Sequence, residues 1–90
     1  MGTALITIKL MPSSPEVNLD EIKEKAKVII EEGKGEKTRF EEVPVAFGLK
    51  AVNAFFDLDE EAELEPIEES LRGIENVNSA EVTDMRRAFG

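Results

Sequence analysis

Hydrophobic and polar residues alternate along the start of the chain, as they do in a β-strand with one buried face. The apolar positions fall on every second residue: Ala4, Ile6, Ile8 and Leu10. Pro12 and Pro15 follow, and because proline has no backbone N–H to donate, the strand is expected to end before them. The pattern therefore predicts a first strand over residues 3–11.

The apolar spacing changes to three and four residues in two later segments, which predicts two amphipathic helices. Asn18 is placed as the N-cap of a helix that starts at Leu19, and Gly33 and Gly35 end it, one of them as a left-handed C-cap. Its apolar stripe is Leu19, Ile22, Ala26, Ile29 and Ile30. Pro66 is placed in the first turn of the second helix. The stripe of that helix is Ile67, Leu71 and Ile74.

Three further segments alternate and predict strands over residues 37–43, 47–58 and 79–87. The first of them is highly charged, which suits a sheet edge, and the second is the most apolar. Its inward residues are Val52, Ala54, Phe56 and Leu58. In the last strand we expect Ala80 and Val82 on one face and Glu81 and Thr83 on the other.

The order strand, helix, strand, strand, helix, strand is typical of an α+β, ferredoxin-like βαββαβ sandwich. Right-handed crossovers give a four-stranded antiparallel sheet of order 4-1-3-2 with both helices on one face. The first and third strands are then central and the other two are edges, which agrees with their apolar and charged compositions. A chain of 90 residues builds one core, so we expect a single domain over residues 1–90.

Composition excludes several classes of function. Twenty acidic and eleven basic residues give a net charge of -9, which repels phosphate backbones and anionic lipids, so we expect no direct nucleic acid and no membrane partner. The chain has no Cys and no His, which excludes thiolate and imidazole catalysis and zinc sites built from nitrogen and sulfur ligands. The start lacks a cationic signal region and no apolar run approaches the roughly 20 residues of a membrane span, so a cytoplasmic location is expected.

Two motif-like stretches lead us to expect no cofactor and no metal. Residues 33–38 contain glycines, Lys and Thr, but a phosphate loop needs Gly directly before a Lys-Thr pair and a helix after it, and here a strand follows. Four acidic residues match calcium-loop positions: Asp57, Asp59, Glu61 and Glu68. Ala62 stands where that loop needs Gly for its sharp turn, so a solvated acidic face is favoured.

Two segments contain residues whose presence is not explained by packing in the hydrophobic core. Residues 44–48, Pro-Val-Ala-Phe-Gly, are apolar where a polar hairpin turn is expected, and exposed apolar loop residues often mark contact surfaces. Packing of Phe47 back onto the core is the alternative, and both stay open. Residues 85–90 include Arg86 and Arg87, which make a local cationic tip on an acidic body, with a solvated tail as the simpler alternative.

Five segments occur in the same order in one known family. They are Lys9-Leu10-Met11-Pro12, Val17-Asn18-Leu19-Asp20, Pro44-Val45-Ala46-Phe47-Gly48-Leu49, Glu68-Glu69-Ser70-Leu71 and Ser79-Ala80-Glu81-Val82-Thr83-Asp84-Met85-Arg86-Arg87. With these segments, nearly the whole chain resembles archaeal translation elongation factor 1-beta. The third segment and the end of the last are the most specific. The chain also resembles the C-terminal catalytic domain of the eukaryotic counterpart, standing alone.

The resemblance implies guanine-nucleotide exchange: release of GDP from elongation factor 1-alpha so that GTP binds and aminoacyl-tRNA delivery continues. It implies an exchange factor that acts by protein–protein binding, not an enzyme, with no cofactor of its own; a larger translation-factor complex stays open. In the eukaryotic relatives a loop aromatic and a basic residue near the chain end engage the G protein, and these correspond to Phe47 and Arg87. With Gly48 and Arg86 beside them, they form the expected partner-binding site.

This mechanism has a geometric requirement. Phe47 is expected to wedge against the G domain while Arg87 perturbs the phosphate and Mg²⁺ site of the partner. Both side chains must then be exposed on one surface. The alternative is a non-catalytic, ferredoxin-like module that dimerises or binds another protein through the open sheet face, with Leu5, Met11, Leu49 and Phe55.

Overall fold

Four strands, two helices and one short 3₁₀ turn make up residues 2–88, the part of the chain that the computed structural model describes. Phe89 and Gly90 of the predicted cationic tip lie outside these residues. The strands are β1 Thr3–Pro12, β2 Glu36–Pro44, β3 Lys50–Asp59 and β4 Val77–Ala88. The helices are α1 Leu19–Glu32 and α2 Glu65–Arg72, and the 3₁₀ turn is Ala46–Gly48.

The strands form one antiparallel sheet of order β2-β3-β1-β4, which confirms the predicted ferredoxin-like α+β fold. Both helices pack on one face, which we call the helix face; the opposite side is the open face. The buried cluster on the helix face joins the predicted stripes of the helices to the inward residues of β1 and β3. Its largest fully buried members are Phe56, Ile8, Leu10, Ile22, Ile30, Leu71 and Val52.

The start of each helix follows the local sequence. The Asn18 side chain accepts a hydrogen bond of 3.0 Å from the Asp20 N–H, which caps α1 and confirms its start at Leu19. Pro66 lies in the first turn of α2, where its missing N–H costs no helical hydrogen bond. Within residues 2–88, no helix is long and apolar enough to cross a bilayer.

The end of α1 differs from the prediction, because neither glycine there is left-handed. Gly33 has a φ of -83°, and Lys34 takes the left-handed position with a φ of 75°. The Gly35 N–H donates to Ile30 O at 2.8 Å, which closes a Schellman motif. Gly35 is needed instead for close packing, since a Cβ there would clash with Ile30 and lie 3.0 Å from Phe56 Cδ2. The C-cap prediction was therefore wrong about which residue adopts that conformation.

Candidate functional site

The hairpin tip, residues 45–49, joins β2 to β3 and replaces the strand start that the sequence predicted at Phe47. The Val45 N–H donates to Leu49 O at 2.8 Å, and the Leu49 N–H donates to Ala46 O at 3.2 Å. Between these bonds, Phe47 has φ 59° and ψ 35°, and Gly48 has a φ of 76°. The strand begins only at Lys50 because two successive left-handed residues interrupt extended backbone.

Phe47 is the most conspicuous side chain of the hairpin tip. It is 93% exposed, so the alternative in which it packs back onto the core is wrong. An L-residue in the left-handed region carries a cost of about 1–2 kcal/mol, and no burial of this aromatic offsets it. An exposed aromatic side chain on a strained backbone does not stabilise the fold. This supports a role for Phe47 in contact with a partner protein.

Gly48 serves the backbone of the same turn. A Cβ added there would meet no atom within 4 Å, so space does not require glycine at this position. The φ of 76° does require glycine, because glycine alone adopts this angle without steric cost. Gly48 thus shapes the tip that presents Phe47.

The base of the hairpin is tied to α1 by an ion pair. Lys23 Nζ lies 2.6 Å from Glu42 Oε2, two residues before the end of β2. The hydrogen bond and positive charge from Lys23 lower the pKa of the Glu42 carboxyl below its ordinary value. This pair holds the edge strand β2 against the helix layer on the way to the tip.

The arginine pair of β4 is divided by a β-bulge. Val82 pairs with Ile8 and Asp84 with Thr7, so Thr83 is an extra residue in the ladder. Residues opposite one another in a sheet share a face. Beyond the bulge, Arg87 pairs with Ala4 on the helix face, while Arg86 pairs with Leu5 on the open face. Because of the bulge, the alternation that places Ala80 and Val82 on one face does not continue in phase to these arginines.

Each arginine is held by a carboxylate of its own. Arg87 Nε lies 3.1 Å from Glu60 Oε1, and Arg86 Nε lies 2.9 Å from Asp84 Oδ2. Both arginine side chains are 76% exposed. A hollow of about 370 Å³ adjoins Arg87 on the helix face, next to the start of α2. Its apolar lining includes Ala4, Leu58, Ala62, Leu64 and Met85.

The structure does not bring the two halves of the predicted site together. The hairpin tip follows Pro44 and Lys50, whereas Arg87 lies beside Ala4, which pairs with Leu58 near the far end of β3. Eight residues of extended strand separate Lys50 from Leu58, or about 26 Å, in a molecule whose longest extent is 42 Å. Both side chains are exposed, as the predicted site requires, and the length of β3 places them far apart along the sheet.

The open face lacks the continuous apolar surface that a dimerisation or protein-binding module would need. Leu5 is 41% exposed there, while Met11 and Phe55 are half-buried. Lys9, which pairs with Glu81 on β4, separates Met11 from Leu5 on β1 and from Phe55 on β3. Leu49 lies in the hairpin tip, not in the sheet. The apolar residues therefore form no contiguous patch of the kind that marks a dimer interface.

Metal ligation is not indicated in the part of the chain that the structure describes. No group of three or more acidic side chains is arranged to hold an ion there. Of the four calcium-loop matches, Asp59 Oδ1 accepts a hydrogen bond from the Glu61 N–H at 2.9 Å, and Glu68 Oε1 pairs with Arg72 at 2.7 Å.

Comparison with known proteins places this arrangement in a family. The EF-1 guanine nucleotide exchange domain matches residues 5–88, which include both the hairpin tip and the arginine pair. Elongation factor 1-beta of Methanothermobacter thermautotrophicus is 47% identical over 88 residues, covering 97% of this chain and 98% of the relative. Elongation factor 1-beta of Methanocaldococcus jannaschii is 39% identical over 98% of this chain and 100% of the relative.

A third relative extends the same result. Elongation factor 1-beta of Methanococcus maripaludis is 37% identical over 94% of this chain and 97% of the relative. These matches run over nearly the full length of each protein and agree with the resemblance seen in the sequence. The chain therefore belongs to the EF-1 guanine nucleotide exchange domain family of translation elongation factors.

Proposed function

We propose that this chain releases GDP from elongation factor 1-alpha and so promotes its exchange for GTP during protein synthesis. Family membership over residues 5–88 supports the reaction, and the 93% exposure of Phe47 in a strained turn is the observation that carries the contact. Because protein synthesis takes place in the cytoplasm, the same proposal locates the chain there.

The mechanism requires binding but no bond chemistry. A protein that binds the nucleotide-free G protein more tightly than the loaded one must, by thermodynamic linkage, weaken nucleotide binding by the same factor. Such a protein needs no nucleotide site, general base or metal of its own. The chain then acts as an exchange factor through its surface.

The hairpin tip is the first proposed contact. Phe47 offers an almost complete aromatic surface to the partner, and Gly48 allows the turn that presents it. Burial of such a side chain in a complex contributes about 1.5–3 kcal/mol. This energy is available only if the nucleotide-free partner opens a place for the ring that the loaded partner lacks.

Arg87 is proposed as a second contact, separate from the first. A typical interface covers about 800 Å² on each partner, which corresponds to a patch about 30 Å across. The tip and Arg87 are separated by at least the distance between Lys50 and Leu58, about 26 Å, so both fit one partner only if the interface follows the long axis of the sheet. Arg87 would then approach the phosphate and Mg²⁺ site, where its positive charge repels Mg²⁺ and so weakens the ion's contribution to GDP binding. Arg86, on the open face, contributes a separate charge.

Release of fluorescently labelled GDP from elongation factor 1-alpha tests these roles. The variants are Phe47→Ala and Arg87→Ala. Val28→Ala is the control for the first, since Val28 is a large apolar residue 54% exposed on α1. Lys27→Ala, which removes one exposed positive charge from the same helix, is the control for the second. We expect both site variants to slow release and both controls to match wild type.

The outcomes separate the parts of the proposal. No acceleration of GDP release by wild type refutes the function itself. Wild-type rates from Phe47→Ala or Arg87→Ala refute the role of that residue alone. Pull-down by the partner gives an independent measure, because excess GDP should dissociate an exchange factor and leave an ordinary binding module in place.

A further inference from the structure

Glu60 lies in the turn after β3 and reaches the ends of two other strands. Its backbone N–H donates to Gly2 O at 3.0 Å, which ties the turn to the residue before β1. Its Oε1 lies 3.1 Å from Arg87 Nε on β4. The Glu60 side chain is 34% exposed, so its carboxylate sits between the strand ends and solvent. Glu60 thus joins the residue before β1, through its backbone N–H, to the guanidinium near the end of β4, through its carboxylate.

Gly2 provides the space through which this carboxylate passes. A Cβ at position 2 would lie 2.5 Å from Glu60 Cδ and 2.7 Å from each carboxylate oxygen. Because a carboxylate is the free end of a flexible side chain, an alanine here should move the carboxylate and leave the fold intact.

The bulge at Thr83 completes the arrangement. It turns Arg87 to the helix face, where Glu60 can meet it, and turns Arg86 away to Asp84. Bulges often re-aim a side chain next to a functional site. The ends of β1, β3 and β4, together with the bulge at Thr83, therefore determine how the Arg87 guanidinium is oriented.

We infer that Glu60 is a positioning residue for Arg87, which it holds in place before the partner arrives; this rests on the proposed function. A free arginine loses rotamer freedom when a partner orders it, and that loss weakens binding. An arginine that is already held loses less. Exposed ion pairs change equilibria by about 1.5- to 5-fold, which sets the size of the expected effect.

Steady-state GDP release, measured over a range of G-protein concentrations, tests the inference with Glu60→Gln and Gly2→Ala. Both should raise KM for the G protein by about 1.5- to 5-fold and leave kcat unchanged. The reason is that the entropy cost of ordering Arg87 is then incurred when the partner binds. A merely structural role would lower the amount of folded protein, and so lower kcat at constant KM. Glu61→Gln, the same change at the next exposed residue, is the control and should match wild type.

A double variant makes the link to Arg87 specific. Glu60→Gln should have no further effect in the Arg87→Ala background, since its target is gone. Additive losses would overturn the inference, as would an unchanged KM in both single variants. A lower KM in Glu60→Gln would also overturn it, because Glu60 would then compete with the partner for Arg87.

A readout without the partner separates this inference from the proposed function. The NMR signal of the Arg87 Nε–H should shift and sharpen in wild type relative to Glu60→Gln and Gly2→Ala. A wild-type chain that fails to release GDP refutes the proposed function and the role of Glu60 in it, even if this signal differs. An active wild type whose Arg87 signal is the same in all three proteins overturns the positioning alone.

Discussion

Replacement of Phe47 by glycine is expected to make the protein more stable and less active. The φ of 59° costs an L-residue about 1–2 kcal/mol, whereas glycine adopts it freely. Glycine loses about 0.5–1 kcal/mol more backbone entropy on folding. Because the ring is 93% exposed, its removal takes almost nothing from the core. The balance lies between no change and a gain of about 1.5 kcal/mol, and its midpoint of about 0.75 kcal/mol corresponds to about 3–6 °C in Tm for a domain of this size.

The effect on exchange has the opposite sign. Loss of a phenyl ring that becomes buried against the partner removes about 1.5–3 kcal/mol of binding. This corresponds to about 10- to 150-fold weaker apparent affinity for the G protein. Calorimetric melting and labelled-GDP release on the same samples measure both quantities.

Two further variants in the tip isolate the causes. Phe47→Ala keeps a Cβ and so keeps the strained conformation, and its Tm should stay near wild type while exchange falls. Ala46→Gly lies in the same turn without a positive φ and should lose about 0.5–1 kcal/mol. A Phe47→Gly protein that melts below wild type would refute the strain argument, and one that exchanges normally would refute the contact.

The remaining predictions concern packing and charge. Gly35→Ala should lose about 1–3 kcal/mol in urea unfolding, because its Cβ would lie 3.0 Å from Phe56 Cδ2 in a filled core. Thr38→Val should gain about 1 kcal/mol by the same measurement, because the Thr38 Oγ1 is buried with no hydrogen-bond partner among the described residues. Lys23→Gln should raise the pKa of Glu42 toward its ordinary 4.5, measured by NMR titration. Since a lowered carboxyl pKa stabilises the fold above the unfolded pKa, the stability difference between wild type and Lys23→Gln should vanish as pH falls through the folded pKa.

Matched substitutions test these predictions. Gly73→Ala, whose Cβ would meet its nearest atom at 3.4 Å, should change stability by less than about 0.5 kcal/mol; a loss as large as that of Gly35→Ala would contradict the packing argument. Thr83→Val should gain nothing, because its hydroxyl already donates to Thr7 O at 3.5 Å. Lys27→Gln should leave the pKa of Glu42 unchanged, and a shift equal to that of Lys23→Gln would indicate a general charge effect.

Local sequence was sufficient for the elements whose side chains repeat with a fixed period. The inward residues of β1 and the stripe of α1 were predicted correctly, because side chains on a strand or helix repeat every 2 or 3.6 residues whatever lies opposite. The N-cap at Asn18 is equally local, since its hydrogen bond spans two residues. Strand order followed from the order of the elements and from right-handed crossovers, and the apolar composition of the two central strands agreed with it.

Local sequence was insufficient where one residue departs from its period. Lys34 and Phe47 take left-handed conformations that their side chains disfavour, so composition pointed to the neighbouring glycines or to a strand. Closure of the turns around them imposes those conformations. The sequence pattern correctly indicated that the apolar hairpin segment is unusual. It did not decide whether Phe47 is exposed or buried, because both positions are compatible with the pattern.

The amino-acid sequence by itself determined the fold, the family and the two segments that carry the proposed contacts. Only the tertiary structure decided which way the arginines face, how far they lie from the hairpin tip, and which carboxylate holds Arg87. The bulge at Thr83 depends on pairing with β1, and Glu60 meets Arg87 across the sheet. Such contacts join residues far apart in the chain, and no local period encodes them.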